Sequence, residues 1–451
     1  MCRDLEESAR MAVSPFHMPR AQDISISEEG PMEDAREVVH GVACGLDVHA
    51  AVIVACLVCS GPNGGPRYEE RSFGTGLAAL KQLRDWLVAS GCQMAGMEAT
   101  GVYWMPVHGV LEGKVPLVVG NPQHMKGLRG HKTDHKDAKW IAMLVRHDLI
   151  RGSFVPPPEF RDARELTRHR RQLLQARTAI RNEVHRLLAR QGITFGTVLS
   201  NVFGASGMAI LEALAEGRSV VEELPKLVHR SVKVKVPMLS AALEAPLADI
   251  PRYLLMTHLQ RLEAVEEDIQ AIERKIAAHL EPYREKLDLL QTLPGVSLTS
   301  ACIILAEIGV DMTCWPTAKH LSAWGGVAPG CRESGGKTHR AGTRKGNPYL
   351  CSVLVECAGA AVKKKVCHLG GKYRHLAAQT GSKKKALIAI ARKLLVLVYK
   401  LLGQNCPYEE PKPQELTDEK RKKAVQRHLQ ELAKLGVQVD MLPINPKTQP
   451  A

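Results

Sequence analysis

Two acidic residues near the N-terminus lie in apolar segments, where protein folding alone does not explain a carboxylate. Asp47 interrupts an apolar run, residues 42–58, that otherwise has the composition of two β-strands. Glu98 ends a second, shorter apolar run at residues 94–97. A carboxylate on a buried strand is costly unless it is paired or binds a metal ion. These two positions therefore point to chemistry that uses a metal.

A second pair of acids, Asp134 and Asp137, follows further along the chain. Residues three apart share one face of a helix. Together with Asp47 and Glu98 they give four carboxylates, which could hold two Mg²⁺ ions about 3.5–4 Å apart for phosphoryl transfer. For the pair alone, a solvated cluster at a helix N-terminus, where acids are favoured, is an open alternative. Helix capping does not explain Asp47.

Hydrophobic periodicity predicts the elements that must position these acids. Apolar runs and alternating residues predict strands at residues 42–48, 52–59, 67–73, 93–97 and 115–119. Apolar residues three and four apart predict helices at residues 77–87, 101–111 and 133–149. A hairpin followed by alternating strands and helices predicts a mixed α/β sheet covered by helices.

Two long helices are predicted after this region. Residues 159–191 contain neither glycine nor proline and could extend over about 50 Å. Residues 252–280 place apolar side chains at alternating spacings of three and four, which fits a coiled coil. With a less regular helical stretch at 194–245 between them, the two helices predict an antiparallel stalk or a dimer arm.

The chain as a whole is too long for one typical domain. We expect five segments: a disordered extension at 1–40, an α/β domain at 41–155, a helical coiled-coil linker at 156–285, a mainly helical C-terminal domain at 286–405, and a charged tail at 406–451 to which we assign no function.

Composition narrows the class of partner. The formal net charge of +14 and the pI of about 9.2 favour a polyanion, most simply nucleic acid. Aromatic residues are only 4% of the chain, which argues against a base-stacking platform. No apolar stretch approaches a membrane span, and no signal peptide is visible. Cys56 and Cys59 form a lone CxxC pair, which we interpret as buried free thiols in a reduced, cytosolic chain.

The residues around the four acids form three motifs. They are Gly45-Leu46-Asp47-Val48-His49, Met97-Glu98-Ala99-Thr100-Gly101-Val102-Tyr103 and Lys132-Thr133-Asp134-His135-Lys136-Asp137-Ala138. In order, spacing and flanking residues they resemble the DEDD transposases of the insertion-sequence-110 family, including its 1111 branch. The resemblance implies a RuvC-like, RNase H-type N-terminal domain in which Asp47, Glu98, Asp134 and Asp137 are the metal ligands.

A downstream block, residues 321–350, resembles the second motif region of the same family. There the serine before Gly-Gly-Lys is the nucleophile, a role that maps to Ser334. A serine hydroxyl can attack a DNA phosphodiester and form a phosphoserine ester, which conserves bond energy for rejoining. Glycines allow close approach of the backbone to a phosphate, and basic residues neutralise it. The residues placed for these contacts are Gly335, Gly336, Lys337, Arg340, Arg344 and Lys345.

Other interpretations of this block are weaker. Gly336-Lys337-Thr338 resembles the end of a P-loop, but the required first glycine falls on Cys331 and no apolar strand precedes it. Cys331 could be the nucleophile, but no residue that would activate its thiol is apparent. The remaining alternative is a flexible basic loop whose serine is incidental.

Several basic or glycine-containing segments remain ambiguous. The turn at residues 293–296 resembles a helix-hairpin-helix unit that contacts a phosphate, or it is a simple helix-packing turn. The lysine and arginine runs are either backbone contacts to nucleic acid or solvated faces. They comprise Lys363–Lys365, Lys383–Lys385, Arg392 and Lys393, and, on the first long helix, Arg168, Arg170, Arg171, Arg177, Arg181 and Arg186.

The sequence therefore predicts a DNA recombinase-transposase of the bacterial cytoplasm and nucleoid. The family resemblance further implies a structured noncoding RNA that bridges donor and target DNA. It also implies homodimers that pair into tetramers, in which the carboxylates of one subunit face the serine of another. Two alternatives stay open: a RuvC-like Holliday-junction nuclease that uses activated water without a covalent intermediate, and a noncatalytic nucleic-acid scaffold.

Overall fold

The structure is a computed structural model that describes most of the chain between residues 37 and 411. The described ranges are 37–61, 65–125, 134–245, 247–330, 332–334, 337–339, 342–343, 345–364 and 367–411, with a few residues between 425 and 436. Predictions for the N-terminal extension up to residue 36, for Cys331 and for most of the tail lie outside these ranges. The chain divides into two compact units, Met1–Arg161 and Asp162–Ala451, each described here by itself.

The first unit is built on a five-stranded mixed sheet with the order β3-β2-β1-β4-β5. β1 pairs antiparallel with β2 and β2 with β3, whereas β1, β4 and β5 run parallel. This sheet is consistent with the RNase H-like fold that the family resemblance implies. The strands are β1 (Val42–Val48), β2 (Val52–Ser60), β3 (Pro66–Gly74), β4 (Met94–Glu98) and β5 (Leu117–Gly120).

Helices cover both faces of this sheet, which explains why its central strands are apolar apart from Asp47 and Glu98 near their carboxyl ends. One face carries a core that includes Leu46, Met97 and residues of α1 and α2. The other carries a core that includes Ala43, Val54 and residues of α4. The helices are α1 (Leu77–Ala89), α2 (Trp104–Leu111), the single turn α3 (Pro122–Met125) and α4 (Asp134–Arg146).

The sequence predicted every strand of this sheet but misplaced some element ends. The helix expected from residue 101 begins at Trp104, because Gly101 has a positive φ of 58° and residues 101–103 form a turn. The strand expected at 115–119 begins two residues later, since Val115 closes the preceding turn. The predicted helix 133–149 ends at Arg146, and Asp148 follows with a positive φ of 50°.

The second unit is mostly helical and contains most of α5 (Pro158–Arg190) and all of α9 (Asp249–Leu280), which are both long helices. They run antiparallel: Arg170 pairs with Glu273, whereas Arg177 and Arg181, further along α5, pair with Glu266. On α9 the buried residues Leu255, Leu262, Ile269 and Ile276 recur every seven positions. The expected antiparallel pair is thus present, while a coiled coil stays a prediction.

Shorter helices complete the unit. α6 (Ala205–Glu216), α7 (Val220–Leu227) and α8 (Val236–Ala242) share a core with the C-terminal end of α5 and with Leu255 of α9. The remaining helices pack together around α15: α10 (Arg284–Gln291), α11 (Leu298–Ile308), α12 (Ala318–Trp324), α13 (Pro348–Ala361), α14 (His368–Thr380) and α15 (Lys383–Gln404). Among the described residues, no helix is both long enough and apolar enough to cross a membrane.

The polar composition of residues 331–348 predicts a loop. The structure instead has a small hairpin there, formed by β6 (Arg332–Ser334) and β7 (Lys337–His339). The Gly335-Gly336 pair between its strands is a recognised signal for a two-residue hairpin connection. The prediction of a loop was therefore wrong at these six residues, and the sequence held a signal that corrects it.

Replacement of Gly45 by alanine tests the contact between β1 and α4. An added Cβ would lie 2.1 Å from the carbonyl oxygen of Ala138 and 2.3 Å from the nitrogen of Ala142, so the helix would have to move. We expect a loss of about 1–3 kcal/mol in the free energy of unfolding. Gly109→Ala, where nothing lies within 4 Å, is the matched control. Urea denaturation of the full chain measures both, and equal midpoints for Gly45→Ala and the parent would contradict the contact.

Thiol labelling tests the burial of the sheet. Burial raises the pKa of Cys56 to about 12 and that of Cys92 to about 11, so neither forms much thiolate at pH 8. Because the thiolate is the reactive form, iodoacetamide should leave both unmodified in the native chain and label exposed Cys406. In urea all three should react. Peptide mass spectrometry measures the difference, and rapid native labelling of Cys56 would contradict the described burial.

Candidate active site

The carboxyl ends of the parallel strands bring Asp47 and Glu98 to the same edge of the sheet. β1 and β4 are in register with Leu46 opposite Met97, so Asp47 and Glu98 each follow a paired residue. Glu98 in turn lies opposite Gly120 of β5. In open α/β sheets, ligands bind in the crevice outside the carboxyl ends of the strands. The two acids that the sequence singled out therefore occupy the edge where a ligand is expected.

Both acids belong to the sheet face that α4 covers. Gly45 and Gly96 lie opposite each other in neighbouring strands, and an added Cβ on either would collide with α4. Side chains two positions apart on a strand point to the same face. Asp47 and Glu98, two residues after these glycines, therefore share the α4 side of the sheet. Their side chains are half-buried.

The direction of α4 brings the second acid pair to this edge. The carbonyl oxygen of Arg146, at the end of α4, accepts hydrogen bonds from the nitrogens of Val39 and His40, just before β1. Ala138 and Ile141 lie against Gly45 in the middle of β1. The helix thus runs antiparallel to β1, and its first turn lies towards the end of the strand that carries Asp47.

Positions 134 and 137 are one helical turn before positions 138 and 141, so they lie on the same side of α4 as the residues that contact Gly45. Asp137 is half-buried. The side chain of Asp134 lies outside the described residues, although its backbone begins the helix. The backbone therefore gathers the four predicted positions at one edge of the first unit.

His49 is a neighbour of Asp47 to which the sequence reasoning gave no role. Its Nε2 lies 2.9 Å from Oδ2 of Asp47, and the Asp47 side chain is 19% exposed while that of His49 is 43% exposed. The backbone nitrogen of His49 donates to the carbonyl oxygen of Val52, which fixes the turn between β1 and β2. His49 can therefore orient the Asp47 carboxylate, and the Asp-Val-His spacing was the signal for it.

The donor set suits a hard cation. Among the side chains that the structure describes, which exclude Asp134, no three His, Cys, Asp or Glu residues form a group that could hold a metal. Mg²⁺ typically binds one or two protein carboxylates and completes its shell with water and substrate phosphate. Two half-buried carboxylates at an open strand edge fit that pattern, whereas they do not fit a closed structural zinc site.

Ser334 ends β6 and is paired with Lys337 of β7. The hairpin continues through a hydrogen bond from the nitrogen of Gly330 to the carbonyl oxygen of Gly342 and a bridge between Pro329 and Thr343. The backbone thus presents Ser334 at the last described pair of a β-hairpin. The side chains of Ser334 and Lys337 lie outside the described residues, as do Gly335, Gly336, Arg340 and Arg344, while Lys345 is exposed.

Most of the arginines of α5 form ion pairs with acids of the same unit. Five of the six that the sequence singled out form ion pairs with glutamates: Arg168 with Glu307, Arg170 with Glu273, Arg177 and Arg181 with Glu266, and Arg186 with Glu183. Arg171 lies over the ring of Tyr349. These contacts favour a structural role for the row over a row of free phosphate contacts.

Positive charge on α14 and α15 is less compensated. The pKa of Lys393 is lowered, first by burial and then by the neighbouring charges of Lys372 and Lys400. Lys363, Lys364 and Lys383–Lys385 are exposed, while Lys365 lies outside the described residues. This face remains the better candidate for contacts to a nucleic-acid backbone.

The turn at residues 293–296 packs against a helix. Gly295 has a positive φ of 84°, and an added Cβ would lie 2.3 Å from the carbonyl oxygen of Cys357 in α13. This geometry supports the helix-packing interpretation of the turn over the phosphate-binding one.

Two family models match the chain. One, for DEDD-type IS110 transposases, matches residues 44–192, which include the four acids. The other, described as transposase of the IS116/IS110/IS902 family, matches residues 287–374, which include Ser334.

Individual relatives are similar to parts of the chain. A probable family 20 transposase of Pseudomonas aeruginosa is 29% identical over 286 residues, which cover 62% of this chain and 75% of the relative. The transposase for insertion sequence element IS1111A of Coxiella burnetii is 25% identical over 303 residues, covering 65% and 73%. A pilin gene-inverting protein of Moraxella bovis is 30% identical over 132 residues, covering 28% and 39%.

With both family models on one chain, and with the acids of the first gathered at one edge of a mixed sheet, the chain belongs to the IS110 family of insertion-sequence transposases.

Proposed function

We propose that this transposase cuts and rejoins DNA through a phosphoserine intermediate, with Ser334 as nucleophile and with Asp47, Glu98, Asp134 and Asp137 as ligands of two Mg²⁺ ions. The observation that carries the metal site is the meeting of β1, β4 and the first turn of α4 at one sheet edge. When bound, the ions supply positive charge to the scissile phosphate and favour the ionised form of the attacking hydroxyl.

The protein groups in this proposal have distinct tasks. Asp47 and Glu98 provide carboxylate oxygens from two adjacent, rigid strands, so their separation is set by the sheet. His49 holds Asp47 in one orientation. Position 134 and position 137 approach from the helix that covers the same face.

The serine step is a balanced exchange at phosphorus. The Ser334 oxygen forms a bond to phosphorus as one deoxyribose oxygen–phosphorus bond breaks, the serine proton passes to solvent, and the departing deoxyribose oxygen takes up a proton. Attack by a different DNA hydroxyl reverses the exchange and frees the serine. Lys337, Arg340, Arg344 and Lys345 neutralise the phosphate, and Gly335 and Gly336 let the backbone approach it.

The partners follow from the same proposal. DNA is the substrate, and the reaction takes place in the bacterial nucleoid. A structured RNA recognises the DNA sequence by base pairing, while the protein contacts the nucleic-acid backbones. RNA-guided nucleases divide recognition in the same way. The antiparallel pair α5 and α9 acts as a coiled-coil arm between protomers. Dimers pair into tetramers, so that the carboxylates of one subunit act with the serine of another. Residues 156–285 form the linker and residues 286–405 the serine-bearing domain.

Ser334→Ala tests the nucleophile. On a suicide DNA substrate that traps cleaved ends, the parent chain with the element RNA should form a protein–DNA adduct that survives denaturation, and the variant should form none while binding DNA with the same affinity. Ser352→Ala on α13 is the matched control and should retain the adduct. Denaturing gels and peptide mapping measure the linkage.

An adduct that persists in Ser334→Ala would refute the assignment. Metal-dependent cleavage by the parent without any adduct would instead support a nuclease that uses activated water.

Asp47→Asn and Glu98→Gln test the metal site. Each removes one negative charge from the strand edge, so cleavage in Mg²⁺ should fall by a factor on the order of 10² or more, as losses of electrostatic stabilisation commonly do. DNA binding in Ca²⁺ should persist. Asp85→Asn, an exposed acid of α1, is the control and should cleave like the parent. Single-turnover cleavage assays measure all three, and full activity in Asp47→Asn would exclude the proposed ligand set.

A further inference from the structure

Glu307 of α11 is a fully buried acid with several partners. Its side chain is 0% exposed. Nε and Nη2 of Arg168 donate to its two carboxylate oxygens at 3.0 Å each, and Nε of Arg164 lies 3.2 Å from Oε2. Nδ2 of Asn347 donates to the same Oε2 at 2.6 Å. A buried carboxylate is costly unless it is paired and hydrogen-bonded, and Glu307 meets both conditions.

Asn347 connects the buried Glu307 to the segment that carries Ser334. Its backbone nitrogen donates to the carbonyl oxygen of Trp324 at 2.9 Å, which closes the segment 325–346 at its base. Its Oδ1 accepts from the nitrogens of Tyr349 and Leu350 at 3.0 and 3.1 Å, which caps α13. Asn347 therefore contacts α12 through its backbone and both α13 and Glu307 through its side chain, and the hairpin with Ser334 lies between the two ends that this residue joins.

The arginines fix the other side of this contact. Arg164 donates through Nε to the carbonyl oxygen of Ala306 at 3.1 Å and through Nη2 to that of Glu307 itself. Its guanidinium lies 5.6 Å from the ring centre of Trp324, and that of Arg168 lies 4.3 Å from the ring centre of Tyr349. Burial lowers the pKa of Arg164 to about 10, so it still carries its charge at neutral pH.

We propose that Glu307 and Asn347 are positioning residues for the serine step: their hydrogen bond fixes the base of the segment 325–346, so that Ser334 is held in its reactive geometry by α5 and α11. This inference rests on the proposed role of Ser334. Neither residue touches the reacting atoms. Loss of the bond should leave the chain folded and able to bind DNA, but should slow the chemical step, because small misplacements of a reacting group are expensive in rate.

Two variants weaken the bond in different ways. Glu307→Gln keeps the shape and an acceptor oxygen but removes the charge that strengthens the bond. Asn347→Ser removes the amide donor and keeps a residue that caps helices well. Single-turnover adduct formation at saturating DNA should fall on the order of 10- to 100-fold in each. The melting temperature and the DNA dissociation constant report separately on folding and binding. Glu307→Gln should lower the melting temperature, because it leaves two buried arginines without their charge partner. Asn347→Ser keeps those ion pairs, so both of its values should stay close to those of the parent.

Glu273→Gln is the matched control. Glu273 lies on α9 and pairs with Arg170 of α5, so this substitution also removes a glutamate partner of α5. Glu273 has no bond to Asn347. Its rate of adduct formation should equal that of the parent.

A double variant gives a readout that a role in stability alone would not produce. Glu307→Gln combined with Asn347→Asp reverses donor and acceptor, so the amide at position 307 can donate to the carboxylate at position 347, which still caps α13. The double variant keeps one negative charge in the buried cluster that contains Arg164 and Arg168. We expect this variant to form the adduct faster than Glu307→Gln or Asn347→Asp alone, a coupling that additive losses cannot give.

The outcomes separate this inference from the proposal on which it rests. If Ser334→Ala loses the adduct while Glu307→Gln and Asn347→Ser form it at the parent rate, the positioning role is wrong and the nucleophile stands. If Glu307→Gln and Asn347→Ser lose melting temperature and DNA affinity in step with rate, and the double variant recovers nothing, the role is overturned as well. If Ser334→Ala keeps its adduct, the nucleophile assignment fails whatever the other variants do.

Discussion

The contact between the two glycines of the central strands and α4 is the constraint on which the first unit depends. Gly45 and Gly96 are opposite each other, and neither leaves room for a side chain beneath the helix. Because α4 lies so close to the sheet, the positions one turn earlier on the helix and two positions later on the strands lie towards the same strand ends. The geometry of the acidic edge thus follows from backbone packing and does not depend on interactions among the acids.

The sequence revealed this edge only in part. Asp47 and Glu98 were recognisable because a charge within an apolar strand has no other simple explanation. Their alignment was not, since register between β1 and β4 is set by tertiary pairing across a long connection. The role of Gly45 was equally hidden, because a glycine in a strand looks the same whether it meets a helix or solvent. The hairpin at Ser334 was missed for a different reason: three-residue strands carry almost no periodic signal, so only the Gly335-Gly336 pair pointed to it.

Charge alone did not decide the role of the arginines on the first long helix. A row of arginines in a basic chain suggests contacts to phosphate, yet five of them meet glutamates that lie up to 139 positions away in sequence. Local sequence shows one partner, Glu183 for Arg186, and hides the others. Ion pairing across the unit leaves the lysines near Lys393 as the stronger positive face, which composition could not locate.

The buried polar cluster of Glu307, Asn347, Arg164 and Arg168 lies at the base of the segment that carries Ser334. Apolar side chains could also pack at this position, so the presence of polar groups needs a reason. Apolar contacts are non-directional, and replacing buried ion pairs with well-packed apolar side chains is often neutral or stabilising. Stability alone therefore gives little reason to bury Glu307 with two arginines and an amide. Hydrogen bonds from Asn347, in contrast, fix direction and distance at once, because its amide donates to Glu307 while its oxygen caps α13. A segment that must present one hydroxyl to one phosphorus atom needs that directional restraint at its base.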